Sequence, residues 1–200
     1  MDTDLDISVE SPNARADAIH RARLLLLQRP VYLDTETTGF EKWDEIVEIS
    51  VIDQDGGTLF RSRIKPTIPI PPDTARYHGI TDADVAACPT FAEAWPGLLR
   101  ALSGRHICAY NANYDMRMLR QSLAAHGIAG WTPQAALHHC IMLLFAAFYG
   151  ERDAYHGNYR YKKLSFAADY FGLPEWKEHG SLADAQAARL VLLKLAEQQI

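Results

Sequence analysis

Cysteine is scarce, with three in 200 residues: Cys88, Cys108 and Cys140. The odd count and the lack of CxxC spacing exclude a disulfide framework and a thiolate zinc site. Each cysteine sits in an apolar run, so all three read as buried thiols in a reducing compartment. No apolar stretch approaches the ~18 residues of a membrane span. The first residues, Met1 to Pro12, are acidic where a secretory leader would be basic and then apolar, so the expected setting is the cytoplasm. Positive charge is also in short supply: 20 Lys and Arg face 25 Asp and Glu, for a net charge of −5. That balance excludes a protein that coats nucleic acid by charge alone, since such binding needs many Lys/Arg–phosphate contacts. An enzyme that grips one strand end is still allowed. Internal repeats and low-complexity segments are missing as well.

What is there is an ordinary globular mixture, 48% hydrophobic and 22% charged, in a chain long enough for one well-buried core. Residues 1–10 read as an acidic tail. Ser11-Pro12 has the form of a helix start, with Ala14 to Gln28 as the helix that follows. From Pro30 the pattern turns to strands: Val31–Glu36, Ile46–Asp53 and Thr58–Lys65, with Asp55-Gly56-Gly57 turning between the last two. After a Pro-rich connection come a helix at Phe91–Leu102 and an apolar strand at His106–Tyr110. Helical segments follow near Ala112–Ala125, Ile141–Tyr149, Lys163–Phe171 and Leu182–Glu197. A meander followed by alternating helices and strands predicts an α/β domain, a mixed sheet with helices on its faces.

Three acidic clusters carry chemistry. In Val31-Tyr32-Leu33-Asp34-Thr35-Glu36, strand alternation puts Asp34 and Glu36 on one face and Val31, Leu33 and Thr35 on the other. Two carboxylates about 5 Å apart repel by roughly 3–4 kcal/mol at an effective dielectric of 20. A bound cation would remove that cost; a sheet edge with a turn ahead of Gly39 would also tolerate the pair. In Tyr110-Asn111-Ala112-Asn113-Tyr114-Asp115, Asp115 falls in the first turn of a helix, where its charge also suits the helix dipole. In His179-Gly180-Ser181-Leu182-Ala183-Asp184, Ser181 fits a helix N-cap with Asp184 three residues on. That leaves His179 in a glycine-containing loop, where an imidazole titrates near neutral pH.

Together these segments resemble the ordered motif set of the DEDDh 3′→5′ exonucleases, the family of the proofreading subunit of bacterial replicative DNA polymerase, ribonuclease T and oligoribonuclease. The matching segments are Asp34-Thr35-Glu36-Thr37-Thr38-Gly39, Tyr77-His78-Gly79-Ile80-Thr81, Asn111-Ala112-Asn113-Tyr114-Asp115, and His179 with four residues before Asp184. The resemblance runs from about Val31 to Leu195. It implies a ribonuclease-H-like mixed β-sheet flanked by helices, occupying residues 30–200, with residues 1–29 as a tail and an extra N-terminal helix. It further implies that Asp34, Glu36, Asp115 and Asp184 converge as metal ligands and that His179 is the general base. Gly180 stands where the sister subclass has tyrosine, so the histidine subclass fits. Two departures are visible, Tyr110 where many members have His and Tyr114 where Phe is usual.

An all-carboxylate site suits Mg²⁺, with Mn²⁺ as a substitute, and does not suit zinc. Two ions about 3.5–4 Å apart would clamp a scissile phosphate while His179 takes a proton from the attacking water. The expected activity is 3′→5′ removal of nucleoside 5′-monophosphates from single-stranded DNA ends. An RNA-specific enzyme is the alternative, and a non-catalytic nucleic-acid-binding module a third reading. Thr37, Thr38, Tyr77, His78, Asn111 and Tyr114 are the expected contacts to the strand end. The basic and aromatic stretch Arg152–Lys163 fits either a strand-holding surface or a solvated loop. The expected partner is the single-stranded 3′ end, with a DNA polymerase or a second copy of the chain as candidate protein partners.

Overall fold

The computed structural model describes residues 13–131, 137–153, 155, 157–176 and 179–200. The acidic tail and Ser11-Pro12 lie outside the described residues. Helix α1 (Ala14–Leu27) begins instead after Asn13 and buries Ala14, Ala18, Ile19 and Ala22, one stripe at helical spacing.

Three strands follow: β1 (Val31–Thr37), β2 (Ile46–Ile52) and β3 (Thr58–Arg63). They form an antiparallel meander in which Tyr32 pairs with Ile52, Asp34 with Ser50 and Glu36 with Glu48. The β2–β3 turn is closed by the Asp53 and Gly57 backbones, and Gly56 adopts a φ of 91° that favours glycine. The proline-rich connection is more ordered than expected, holding α2 (Pro72–His78) and α3 (Asp82–Val85). Proline at the first turn of α2, the left-handed Gly79 after its end and the Thr81/Asp84 capping box of α3 build both from local signals.

Helix α4 (Phe91–Leu102) starts on a Thr90/Glu93 capping box, and β4 (Ile107–Ala109) then runs parallel to β1. Helix α5 (Ala112–Ala125) leads to β5 (His138–Cys140), so the sheet order is β3-β2-β1-β4-β5. Helix α6 (Ile141–Tyr149), a short hairpin of β6 (Arg152–Asp153) and β7 (Asn158–Tyr159), α7 (Leu164–Tyr170) and α8 (Ser181–Glu197) complete the chain.

Strand alternation sorts the core into two layers. Val31, Leu33, Ile49 and Val51 pack with α4 and α5, including Leu98, Met116 and Leu119. Tyr32 and Ile52 pack on the other face with α1, α6 and α8, including Ile19, Phe145 and Val191. Cys108 and Cys140 are buried as expected, but Cys88 is half-buried because it follows the short helix α3 at the edge of the small cluster around Ile80 and Val85. None of the described helices is long and apolar enough to cross a membrane.

Candidate metal and nucleic-acid site

The face of the sheet that carries Tyr32 and Ile52 becomes polar towards the end of β1. Asp34, Glu36, Glu48 and Ser50 share it, because Asp34 pairs with Ser50 and Glu36 with Glu48. The N-terminus of α8 lies over this patch. Ser181 directs both its backbone N–H and its hydroxyl to Glu48 Oε2, at 3.1 and 2.9 Å, and its Oγ lies 2.7 Å from Ser50 Oγ. Ser181 is therefore the first residue of the helix and not its N-cap. Gly180 holds that position, because the serine's polar groups are spent on β2. One turn on, Asp184 comes down beside β1, and oxygen atoms of Asp34, Glu36 and Asp184 lie within 4.8 Å of one another. Asp184 is held from two sides, by Trp176 Nε1 at 2.7 Å and by the His179 N–H at 3.1 Å.

Asp115 reaches the same region from the other layer. Because β4 runs parallel to β1, α5 starts at the carboxyl end of the pair, where crevices form in α/β sheets. Asp115 is buried there, accepting a 2.8 Å hydrogen bond from the Thr35 hydroxyl. Its charge is felt by Asp34 and Glu36.

Crowding out of water makes these acids reluctant to ionise. Burial raises the Asp34 carboxyl well above its usual range, and the charges of Asp115, Asp184, Glu36 and Glu48 raise it further. Glu36 is pushed up to about 8, first by burial and then by Asp184, Glu48 and Asp115. Asp115 is raised to about 7 by burial, against the pull of its bond from Thr35. Among the described residues, Arg61 and Arg63 approach Glu48, 3.4 and 3.7 Å from its Oε1. Buried oxygen ligands converging at mutual cost form a site suited to a hard cation.

The remaining expected residues lie at the end of β1 and just after it, on α2, at the start of α5 and just before α8. His179 sits in a left-handed conformation (φ 62°) with its ring 3.8 Å from that of Tyr77, which is otherwise exposed. His78 accepts the Ile80 N–H on Nδ1, so Nε2 carries the proton and donates to the Thr37 carbonyl at 3.1 Å. Burial lowers the pKa of this imidazole. Thr37 and Tyr114 meet through their hydroxyls at 2.5 Å, and both contact the Gly39 carbonyl. Thr38 is fully buried, its hydroxyl donating to Asp44 and accepting from the Glu45 N–H. A Cβ on Gly39 would come within 2.5 Å of Asp44 Oδ2 and displace it from its bonds to Thr38 and Glu41. Asn111 is exposed at the N-cap of α5. Tyr110 is buried, with its hydroxyl donating to the Lys162 and Lys163 carbonyls.

Sequence reasoning missed Glu48, Ser50 and Trp176. The alternation of β2 carried a signal for the first two, since Glu48 and Ser50 interrupt an apolar strand that is buried throughout. The stretch 152–163 folds partly into the β6–β7 hairpin; Ala154 and His156 lie outside the described residues. Arg160 and Lys162 pair with Glu151, Lys162 also lies over the Tyr149 and Phe166 rings, and Arg152 lies over Tyr159.

Comparison with known proteins is decisive here. The family model described as Exonuclease matches residues 31–192. The chain belongs to the DEDDh exonuclease family. Among its curated relatives, the "Uncharacterized exonuclease CP81" of Escherichia phage 186 is 34% identical over 88% of this chain and 93% of its own length. The DNA polymerase III subunit epsilon of Pasteurella multocida is 27% identical, over 86% of this chain and 69% of its own length. A solved structure of exonuclease X in complex with 5′ overhanging duplex DNA superposes with a TM-score of 0.60 at 24% identity, covering 84% of this chain and 93% of that one. This DEDDh exonuclease has the ribonuclease-H-like fold, a mixed five-stranded sheet with helices and the added helix α1, and is a metal-dependent 3′→5′ phosphodiesterase.

Proposed function

We propose that this DEDDh exonuclease trims single-stranded DNA from its 3′ end, one nucleoside 5′-monophosphate at a time, with Mg²⁺ at the carboxylate cluster. The observation that carries the reading is the convergence of Asp34, Glu36 and Asp184 within 4.8 Å, with buried Asp115 beside them. These four would hold two divalent ions, which supply charge for the phosphate and an activated water. All the donors are carboxylate oxygens, which favour Mg²⁺ or Mn²⁺ over zinc.

The protein's own groups divide the remaining work. Asp34 and Glu36 are fixed by the sheet, and Asp184 by Trp176 and the His179 backbone, so the ligand set is preorganised. His179 takes the proton of the attacking water. Its ring rests against Tyr77, so the base and the segment carrying Tyr77 and His78 share one wall. Tyr77 offers the terminal base an exposed ring, and Asn111, at the mouth of α5, offers polar contacts. Thr37, Thr38, Tyr114 and His78 hold the floor of that wall.

The preference for DNA follows the relatives, whose names include replicative polymerase subunits and a duplex-DNA complex. A polymerase, or a second copy of the chain, is a candidate working partner. Digestion of matched 5′-labelled single-stranded DNA and RNA with Mg²⁺, then with EDTA, tests the proposal. A ladder of shortened labelled DNA that EDTA abolishes is expected. Faster loss of RNA would assign the enzyme to RNA, and cutting of a circular single strand would overturn exonuclease polarity.

A further inference from the structure

Outside the acidic site, α5 turns a second face towards solvent. Arg117, Arg120, Gln121, Ala124 and Ala125 recur there at helical spacing, roughly on the opposite side of the helix from Asp115. The loop between β1 and β2 folds over this face. Gln121 Nε2 donates to the Glu41 and Asp44 carbonyls, both at 2.9 Å, and Arg117 Nη1 donates to the Phe40 carbonyl at 2.9 Å. Between helix, loop and the Thr67-Ile68 segment lies an open cavity of about 530 Å³, within the usual range for ligand sites.

Its lining has one sign of available charge. Lys42, Arg117 and Arg120 border it, and among the described residues neither Lys42 nor Arg120 has an ion-pair partner. The one acid, Glu45, is nearly fully buried, with its carboxylate bonded by the Thr67 N–H and hydroxyl and lying 3.4 Å from His126 Nε2. Trp43 is 60% exposed at the rim, and Ile68 adds a second apolar wall. A basic hollow with an exposed indole, on a chain of net charge −5, has the composition of a site for an anion joined to a flat ring.

We propose that this cavity holds a nucleotide of the substrate strand, at least about three residues to the 5′ side of the bond being cut. Trp43 stacks the base, while Arg120 and Lys42 hold the phosphate. The inference rests on the exonuclease reading above and deepens it. Arg117 and Arg120 of the cavity lie on roughly the opposite side of α5 from Asp115, and a helix is about 10 Å across, or three nucleotides at the 3.4 Å spacing of a stacked strand, which sets the shortest span between the two. Because the loop is pinned at three carbonyls, the cavity is formed before the strand arrives.

The test is the double variant Trp43→Ala/Arg120→Ala, whose side chains are surface-exposed and outside the acidic cluster, with a thermal melt to check its fold. Binding of 5′-fluorescein oligothymidylates of two and eight nucleotides is measured by anisotropy in EDTA, and kcat and KM for both lengths in Mg²⁺. The octanucleotide should lose about 10-fold or more in Kd and KM, the worth of one stacked base and one phosphate contact, with kcat little changed. Its salt dependence should flatten by about 0.7 in log–log slope per lost phosphate contact. The dinucleotide, too short to reach, should behave alike on both proteins. Equal loss at both lengths, or none at either, would overturn the proposal, as would a wild type that binds eight nucleotides no better than two. Quenching of tryptophan fluorescence by dAMP or inorganic phosphate that is lost in Trp43→Ala, without any length dependence in strand binding, would assign the cavity to a free ligand and overturn the strand assignment. Dinucleotide cleavage reports on the exonuclease reading separately, so the two ideas fail in different measurements.

Discussion

Replacing Glu36 by Gln should make the metal-free protein more stable, and the gain should depend on pH in a defined direction. In the unfolded chain Glu36 releases its proton near 4.5; in the fold it holds it to about 8. Between those values the folded state binds the extra proton, so stability falls as pH rises through the window. Below it both states are protonated and nothing is lost. At about 1.4 kcal/mol per pH unit, the wild type carries a penalty of up to about 5 kcal/mol by pH 8, and Gln carries none. Gln still buries a polar amide, and in the wild type Asp34 or Asp115 can hold the proton in place of Glu36, so that figure is a ceiling. For a chain of 200 residues each kcal/mol moves the melting temperature by about 2–4 °C. Thermal melts of both proteins in EDTA, from pH 4.5 to 8.5, should coincide at the acid end and separate by up to about 10–20 °C at the alkaline end. With Mg²⁺ the order should reverse, since the variant has lost a ligand. A variant that melts lower than wild type in EDTA at pH 8 would refute the reasoning, as would a gain of equal size at every pH: either result would make Glu36 a structural residue.

His179→Ala should lower turnover by about 10²–10⁴-fold, while calorimetry shows Mg²⁺ affinity little changed. Asp34→Ala should instead lose Mg²⁺ binding and turnover together, and intact calorimetric binding would contradict its assignment. Ser181→Ala strips hydroxyl bonds from Glu48 and Ser50, and should destabilise by about 1–3 kcal/mol and weaken Mg²⁺ binding through Asp184; unchanged metal affinity would separate Glu48 from the site. Gly39→Ala should lower the melting temperature by disturbing Asp44 and its bonds to Thr38 and Glu41, and an unaltered melt would show that the loop yields freely.

The sheet and its helices were legible because the periodicities are clean. Phe91–Leu102, Ala112–Ala125 and Ile141–Tyr149 form helices at the bounds the sequence suggests, and the three meander strands begin where expected. Short elements were not legible. Helices α2 and α3 hide among prolines and acids, and β5 is three residues whose pattern, His138-His139-Cys140, carries no alternation; only pairing with β4 makes it a strand. The sequence placed Asp34 and Glu36 on one face by alternation alone. It could not bring Asp184 beside them, because that depends on which strand receives the end of α8. Ser181 illustrates the gap: its local context reads as a cap, while a glutamate 133 positions away decides what it does. Nor could the sequence say what the two departures from the family pattern do: the Tyr110 hydroxyl reaches two backbone carbonyls and that of Tyr114 a carbonyl and the Thr37 hydroxyl.

The docking of α8 onto Glu48 and Ser50 also sets when the enzyme can first act. Asp34 and Asp184 are 150 positions apart, so at about 5–20 residues per second roughly 8–30 s of synthesis separate the first proposed ligand from the last. Throughout that interval the nascent chain displays two or three carboxylates without the one that closes the set. The strand meander can form and α5 can pack while the centre is still incomplete, sparing the early fold the repulsion of a full acidic cluster. On the proposed ligand set, a nuclease made in this order stays harmless to nearby nucleic acid until α8 has left the ribosome and found the sheet.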